Sequence, residues 1–337
     1  MLALFSLTDA GAMEATGGVV SLPGFPGPNR TEGHAIGAWV NSAHKRCFGL
    51  TVNTFFNLED MYYDMYVRHG YVKRAYLVGP LSLPSPSQLA AGDDGSRCID
   101  WLDRKPSRSI MYLCFGSLTH VSEPQLRELT LGLEASGMPF LQVVRSEAWV
   151  PPEGWKECVG GVGEACAAVF GREGGGGAAK GPGEERRVEG KGRAVEGVAV
   201  GGGAVVAFVA HCGWNSVLET VVAGVPALTW LMVFEQFITE RFVTEVLAIG
   251  ERLWPEGAGV RSTRSEEHEL ILGEAVARAV ARFMEPGGAG EAARRVVKGL
   301  SAKAHAAMAE GGSSNCNLRR VIDDLIEERT AGAGTMS

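Results

Sequence analysis

AVVAFVAHCGWNSVLETVVAGVPALTW, residues 204–230, changes its hydrophobic period twice within one short stretch. Ala204–Ala210 is a continuous apolar run, rich in Val and too short for a helix. It reads as a strand buried on both faces. Polarity begins at His211-Cys212-Gly213-Trp214-Asn215-Ser216. Ser216–Ala223 then reads as a helix. Gly224-Val225-Pro226 closes it, with Gly free to turn left-handed and Pro unable to continue. Ala227–Trp230 begins another strand. Strand, helix and strand in this order make a parallel sheet.

The same alternation extends in both directions. Upstream, Ser109–Phe115 (SIMYLCF) reads as a buried strand, broken by Gly116-Ser117. Ser122 followed by Gln125 has the spacing of a capping box. Leu126, Leu129 and Leu133 give the following helix one apolar face, Gly137 ends it, and Phe140–Val144 is the next strand. Downstream, helices are expected over Glu235–Leu247, Glu274–Met284, Glu291–Glu310 and Asn315–Glu328. The last carries Leu318, Val321, Ile322, Leu325 and Ile326 on one face. Residues 109–328 thus form a doubly wound α/β unit. Nearer the start, Gly49–Phe56 and Ala75–Val78 read as strands around a helix at Leu58–His69.

With 337 residues, two domains are expected. Residues 1–85 form the first, 86–108 a linker and 109–328 the second, with a tail at 329–337. Residues 160–203 stand apart. Sixteen of these 44 residues are Gly, and Leu and Ile are absent. Such a segment buries little and is expected to be disordered. The block reads as a frame error or intron translated from a GC-rich gene. The net charge of −7 argues against an electrostatic nucleic-acid binder. The seven Cys are scattered without CxxC spacing, so no zinc site or disulfide framework is expected, and a reducing compartment is the simpler reading. No signal peptide and no membrane span are read, and the expected location is cytoplasmic.

The polar cluster at His211 sits where a parallel strand becomes a helix, the usual ligand crevice of an open α/β sheet. A helix N-terminus suits phosphate, through its free N–H groups and its dipole. Gly213 permits close backbone approach, and His211, Asn215 and Ser216 supply donors. Glu219, one turn on, would accept from a ribose hydroxyl pair. Glu235 and Gln236 open the next helix, where a carboxylate and an amide suit several sugar hydroxyls. The combination points to a nucleotide-sugar.

HCGWNSxLE…GVP…EQ resembles the plant secondary-product glycosyltransferase box of the family 1 UDP-glycosyltransferases. VNTFFNLED, VGPLSL, CIDWLDRKPSRSIMYLCFGS, LGLEASGMPFLQVVR, FEQFITERFVTEVLAIGERLWPEG and Gly311-Gly312-Ser313-Ser314 resemble further family segments in the same order. The resemblance implies a GT-B-like fold, two Rossmann-type doubly wound domains, with the N-terminal acceptor domain incomplete. It implies that His211, Gly213, Trp214, Asn215 and Ser216 bind the diphosphate, with Ser117 as a second phosphate contact. Glu219 would hold ribose, and Glu235 and Gln236 the sugar, with the terminal Gln favouring glucose. Two departures stand out. Arg193-Ala194-Val195-Glu196 occupies the place of the family's uracil-binding Trp-Ala-Pro-Gln. The family's general-base His and its Asp have no counterpart, since His34 and His44 lie outside that motif's context, so no catalytic residue is retained.

The implied reaction is inverting transfer of a hexose, expected to be glucose, from a UDP-sugar to a hydroxyl of a small plant-type secondary metabolite such as a flavonoid. No cofactor and no metal are expected, and the chain is expected to be a monomer. The alternative is a catalytically dead nucleotide-sugar-binding fragment lacking the general-base His. An NAD-dependent Rossmann enzyme is disfavoured because GxGxxG after a first strand is missing.

Overall fold

The computed structural model describes residues 19–20, 29–30, 44, 46–68, 70, 72–82, 102–116, 121–143, 203–230, 232, 236–253 and 268–334. Most of the expected linker and, save Gly203, the whole Gly-rich block lie outside these residues, as do the expectations made for them.

Strand β1 (Val19–Val20) pairs antiparallel with β2 (Asn29–Arg30). Strand β3 (Leu50–Val52) leads through helix α1 (Phe56–Arg68) to β4 (Ala75–Leu77), which pairs parallel with β3, Leu50 opposite Ala75. The main sheet follows. Its elements are β5 (Ile110–Cys114), α2 (Glu123–Ala135), β6 (Phe140–Gln142), β7 (Val205–Ala210), α3 (Trp214–Ala223), β8 (Ala227–Thr229), α4 (Gln236–Arg241), a π-helical turn (Phe242–Val246) and β9 (Gly250–Arg252). Three helices close the chain: α5 (Gly273–Met284), α6 (Ala289–Met308) and α7 (Ser313–Gly334).

All five strands of the main sheet are parallel, in the order β6-β5-β7-β8-β9. The chain steps outward from β5 to β6, then returns to the other side of β5 for β7. The order therefore reverses between β5 and β7, which is where such sheets bind ligands. Every residue of β5 and β7 is buried, as a parallel sheet covered on both faces requires.

Three apolar clusters hold these layers together. On one face, Met111, Leu113 and Val209 meet Leu129 and Leu133 of α2 and Val276 and Val280 of α5. A second cluster joins Tyr112 and Phe208, whose rings lie 5.0 Å apart, to Leu102 and Leu141. The third is shared between the early segment and the later helices. Val52, Phe55, Leu58, Tyr62 and Tyr66 pack with Val217 and Val221 of α3, Phe242, and Val297 and Leu300 of α6. This shared burial seats the β3–β4 segment directly on the helix that carries the polar cluster.

Helices α2 and α5 approach closely because Gly132 has no side chain. A Cβ there would lie 2.6 Å from the Gly273 carbonyl oxygen and 2.6 Å from Val276 Cβ. Gly within a helix otherwise costs stability, so the close approach is its structural reason. Gly132→Val is expected to lower unfolding free energy by about 1–3 kcal/mol through overpacking, read from the midpoint of urea denaturation. An unchanged midpoint would contradict this packing.

The strand expected over Gly49–Phe56 stops at Val52, and Phe56 already opens α1. Local chemistry departs from expectation at three further places. Ser122 is the N-cap of α2, but its side chain makes no capping hydrogen bond. Gln125 instead binds the Ile271 backbone twice, donating from Nε2 to the carbonyl (2.9 Å) and accepting the N–H at Oε1 (2.8 Å). A buried amide satisfied by two tertiary bonds outweighs a local cap. The expected helix over 235–247 becomes α-helical and then π-helical, with Leu247 N–H reaching the Phe242 carbonyl (2.8 Å). The third departure is α7. Its apolar stripe stays exposed, Ile322 at 52% and Ile326 at 58%. The helix docks on β4 by polar bonds, Asn317 Nδ2 donating to the Leu77 carbonyl and the Tyr76 hydroxyl donating to Asp324. Gly137 and Gly224 adopt the expected left-handed turn after their helices, with φ of 72° and 64°.

Candidate functional site

The carboxyl ends of β5, β7 and β8 lie side by side. Ala210 ends β7 beside Cys114 of β5, and the Trp230 N–H donates to the Ala210 carbonyl (2.8 Å). The loop His211-Cys212-Gly213 leaves β7 at this edge and enters α3. Cys212 holds a φ of 62° without being Gly or Asn. Such a conformation costs about 1–2 kcal/mol and concentrates where geometry is dictated by function. The Cys212 thiol is buried, and burial together with nearby Glu240 pushes its pKa well above normal. It is therefore a protonated, inert thiol.

His211 fills a slot between two glycines. A Cβ on Gly116 would lie 2.6 Å from His211 Cε1, and a Cβ on Gly213 would overlap His211 Nε2. Gly116 also needs its freedom for a φ of 67°. Burial pushes the His211 pKa down to about 4, only partly offset by the Cys114 backbone. The imidazole is neutral at physiological pH and offers one N–H donor and one acceptor.

Helix α3 begins with no side-chain cap. Its N-cap is Gly213, and its first turn carries no acidic residue. The leading N–H groups of any α-helix lack intrahelical partners, and its dipole makes this end positive. The structure thus brings together His211, Gly213, Trp214, Asn215 and Ser216 at one helix end. Trp214 is buried, with its indole Nε1–H donating to the Asn53 carbonyl (2.7 Å). Its ring points into the shared core beside Phe242, 6.2 Å away, so only its backbone faces the helix end. Asn215 is exposed, and its Oδ1 accepts from Asn53 Nδ2 (3.3 Å). Ser216 and Glu219 are both buried on α3, one turn apart.

Gln236 opens α4 and is buried, its Oε1 accepting the Met232 N–H (3.0 Å). Ser117 and Glu235 lie outside the described residues, although Gly116 and Gln236 adjoin them. Among the described residues, no three His, Cys, Asp or Glu side chains converge as metal ligands, and no helix is long and apolar enough to cross a membrane. His44 is engaged elsewhere, its Nδ1 bonded to the Tyr66 hydroxyl (2.6 Å).

Three contributors escape a reading of the sequence. Asn53 touches the site from 162 residues away, and separation in sequence hides it. Gly116 reads as a turn residue, whereas it also makes room for His211. Glu240 is buried against Arg252 (2.6 Å), and Arg252 also holds Glu245 (2.7 Å). This ion-pair cluster ties α4, and Gln236 at its start, to β9. Its one sequence signal is the clustering of opposite charges at Glu240, Arg241, Glu245 and Arg252.

No family model matches the chain. The scopoletin glucosyltransferase of Nicotiana tabacum is 32% identical over 304 residues, covering 87% of this chain and 57% of that protein. UDP-glycosyltransferase 73C4 of Solanum lycopersicum is 30% identical over 321 residues, covering 89% of this chain and 84% of its own length. The structure of Phytolacca americana UGT2 complexed with UDP-2fluoro-glucose and pterostilbene superposes with a TM-score of 0.73 at 27% identity, covering 96% of this chain and 69% of that one. The chain thus spans 57% of the length of the tobacco relative. The likeness to the tomato protein runs through most of both chains, and the parallel sheet with its switch point fits the same architecture. On these grounds the chain belongs to the plant UDP-glycosyltransferases, family 1, with the GT-B fold.

Proposed function

We propose that the end of α3 holds the diphosphate of a UDP-sugar. His211, Asn215 and Ser216 would donate to its oxygens, with the Gly213 and Trp214 backbone close by and Ser117 as a second contact. Glu219 would accept from the ribose hydroxyls, and Glu235 and Gln236 from and to the hydroxyls of the hexose, glucose by preference. One observation supports this reading above all. A neutral, buried His is wedged between two glycines at an uncapped, positive helix end. Donors fixed in place around a leaving diphosphate stabilise the charge that develops as the glycosidic bond breaks. The full reaction would be inverting transfer of the hexose to a hydroxyl of a small plant metabolite such as a flavonoid. The tobacco relative is by name a scopoletin glucosyltransferase, and the Phytolacca structure is a complex with UDP-2fluoro-glucose and pterostilbene.

A second reading is a UDP-sugar-binding chain without turnover. It is favoured by the engagement of two described histidines, one before the site and one after it. His44 is bonded to Tyr66, and His305 lies 3.3 Å from the Val222 carbonyl.

Both readings share the donor site, which is testable directly. His211→Ala and Glu235→Ala are each expected to weaken UDP-glucose binding by about 10- to 100-fold, the loss of one or two hydrogen bonds to charged or polar sugar groups. Circular dichroism should stay native in both. Wild-type affinity in both variants would show the site to be misplaced. Transfer of glucose to a phenolic acceptor by the wild-type chain would remove the second reading.

A further inference from the structure

The amide of Asn215 has its orientation imposed from another part of the chain. The Leu81 backbone N–H donates to Asn53 Oδ1 (2.9 Å). A backbone N–H can only donate, so this side of the Asn53 amide must be its oxygen. Its nitrogen then faces Asn215, at 3.3 Å. That nitrogen can only donate, so Asn215 must present Oδ1 to it. The two N–H groups of the Asn215 amide consequently face the other way. Polarity passes in one sense through three groups, from a backbone amide to the first turn of α3.

Asn53 is itself held firmly. Its carbonyl accepts the Trp214 indole N–H (2.7 Å), from the residue just before Asn215. The flanking backbone is bonded to the strand beside it, Val78 N–H to the Val52 carbonyl (3.0 Å) and Gly79 N–H to the Thr54 carbonyl (2.8 Å). Gly79 is bare on this side: a Cβ there would overlap Asn53 Oδ1 and lie 2.6 Å from the Thr54 nitrogen.

We propose that Asn53 is a positioning residue for the donor site: it takes up the Asn215 carbonyl so that the α3 terminus presents N–H donors, and no acceptor, to an anionic diphosphate. This rests on the reading of the α3 end as a diphosphate site. An unconstrained Asn amide is nearly symmetrical in shape and could turn its oxygen toward the ligand, repelling it. The early segment, through Asn53, removes that choice.

A double-mutant cycle with UDP as the ligand tests the proposal. Asn53→Asp keeps the size of the side chain and still accepts from Leu81. It also offers Asn215 only an acceptor, so the Asn215 amide turns round. UDP affinity should fall by about tenfold or more where Asn215 is intact. On the Asn215→Ala background the same change should cost less than about threefold. A residue with only a structural role, or a charge acting through space, would cost the same in both backgrounds, and that result would overturn the proposal. Unchanged affinity in the single variant would overturn it equally. If Asn53→Asp does not fold, Asn53→Ser takes its place in the cycle, since its hydroxyl is too short to reach Asn215. Failure of the wild-type chain to bind UDP at all would instead remove the diphosphate reading on which the proposal stands.

Discussion

Lowering the pH from 7 to about 5 is expected to remove about 2 kcal/mol of folding stability through His211 alone. Its pKa falls from 6.5 to about 4 because the ring is buried. In the unfolded chain the same imidazole titrates at its ordinary value. Between those two values the unfolded state takes up a proton that the folded state refuses. Stability contributed by the neutral His is therefore complete above pH 6.5 and is lost progressively as the pH falls toward 4. At 1.36 kcal/mol per unit, the full effect approaches about 3 kcal/mol. Carboxylates titrate in the same range, so the measurement is a difference. Urea unfolding of wild type and of His211→Gln at both pH values isolates the contribution of the ring, and the wild type should lose about 2 kcal/mol more. Parallel pH dependence in the two proteins would mean that the ring is solvated and that the slot between the glycines does not hold it.

Filling that slot should be equally costly. Gly213→Ala adds a methyl group that would overlap His211 Nε2, at a backbone position whose φ of −60° any residue adopts. The cost is therefore steric and not conformational. The ring must leave its place, and UDP affinity is expected to fall by about 10- to 100-fold, the value of a displaced donor to phosphate. Stability should drop by about 1–3 kcal/mol as the overpacked loop shifts. Coupling between the two positions checks this. On a His211→Ala background the added methyl has nothing to strike, so Gly213→Ala should then have little further effect on either quantity. Equal losses on both backgrounds would place the strain elsewhere. Gly116→Ala is expected to behave like Gly213→Ala with an added backbone penalty, since its φ is 67°.

What could be read from the sequence was whatever depends on neighbours along the chain. The apolar runs at 109–115 and 204–210 gave strands, and Gly224 with Pro226 gave a helix end, because burial and backbone freedom are local properties. The strand-to-helix junction at His211 was legible for the same reason. The contacts that shape the site were not. Asn53 meets Trp214 and Asn215 across 161 and 162 residues, and its own surroundings place it only within the strand expected over Gly49–Phe56. Gln125 looks like half of a cap, yet Ile271, 146 residues away, offers its backbone a better pair of bonds. The stripe on α7 shows the converse failure. Helical spacing groups Leu318, Ile322, Leu325 and Ile326, but periodicity says only which residues share a face, not that anything covers it. At α4 the helix changes pitch, where buried Glu240, paired with partly exposed Arg252, ties it to β9, an arrangement that needs the tertiary fold to exist.

On this reading the carboxyl ends of β5, β7 and β8 form a working UDP-sugar site. Calorimetric titration of the purified chain with UDP-glucose and with UDP decides whether it does. Binding of both at a single site, with UDP-glucose the tighter, is the predicted result. Absence of binding by either ligand to a folded, monodisperse sample would contradict it.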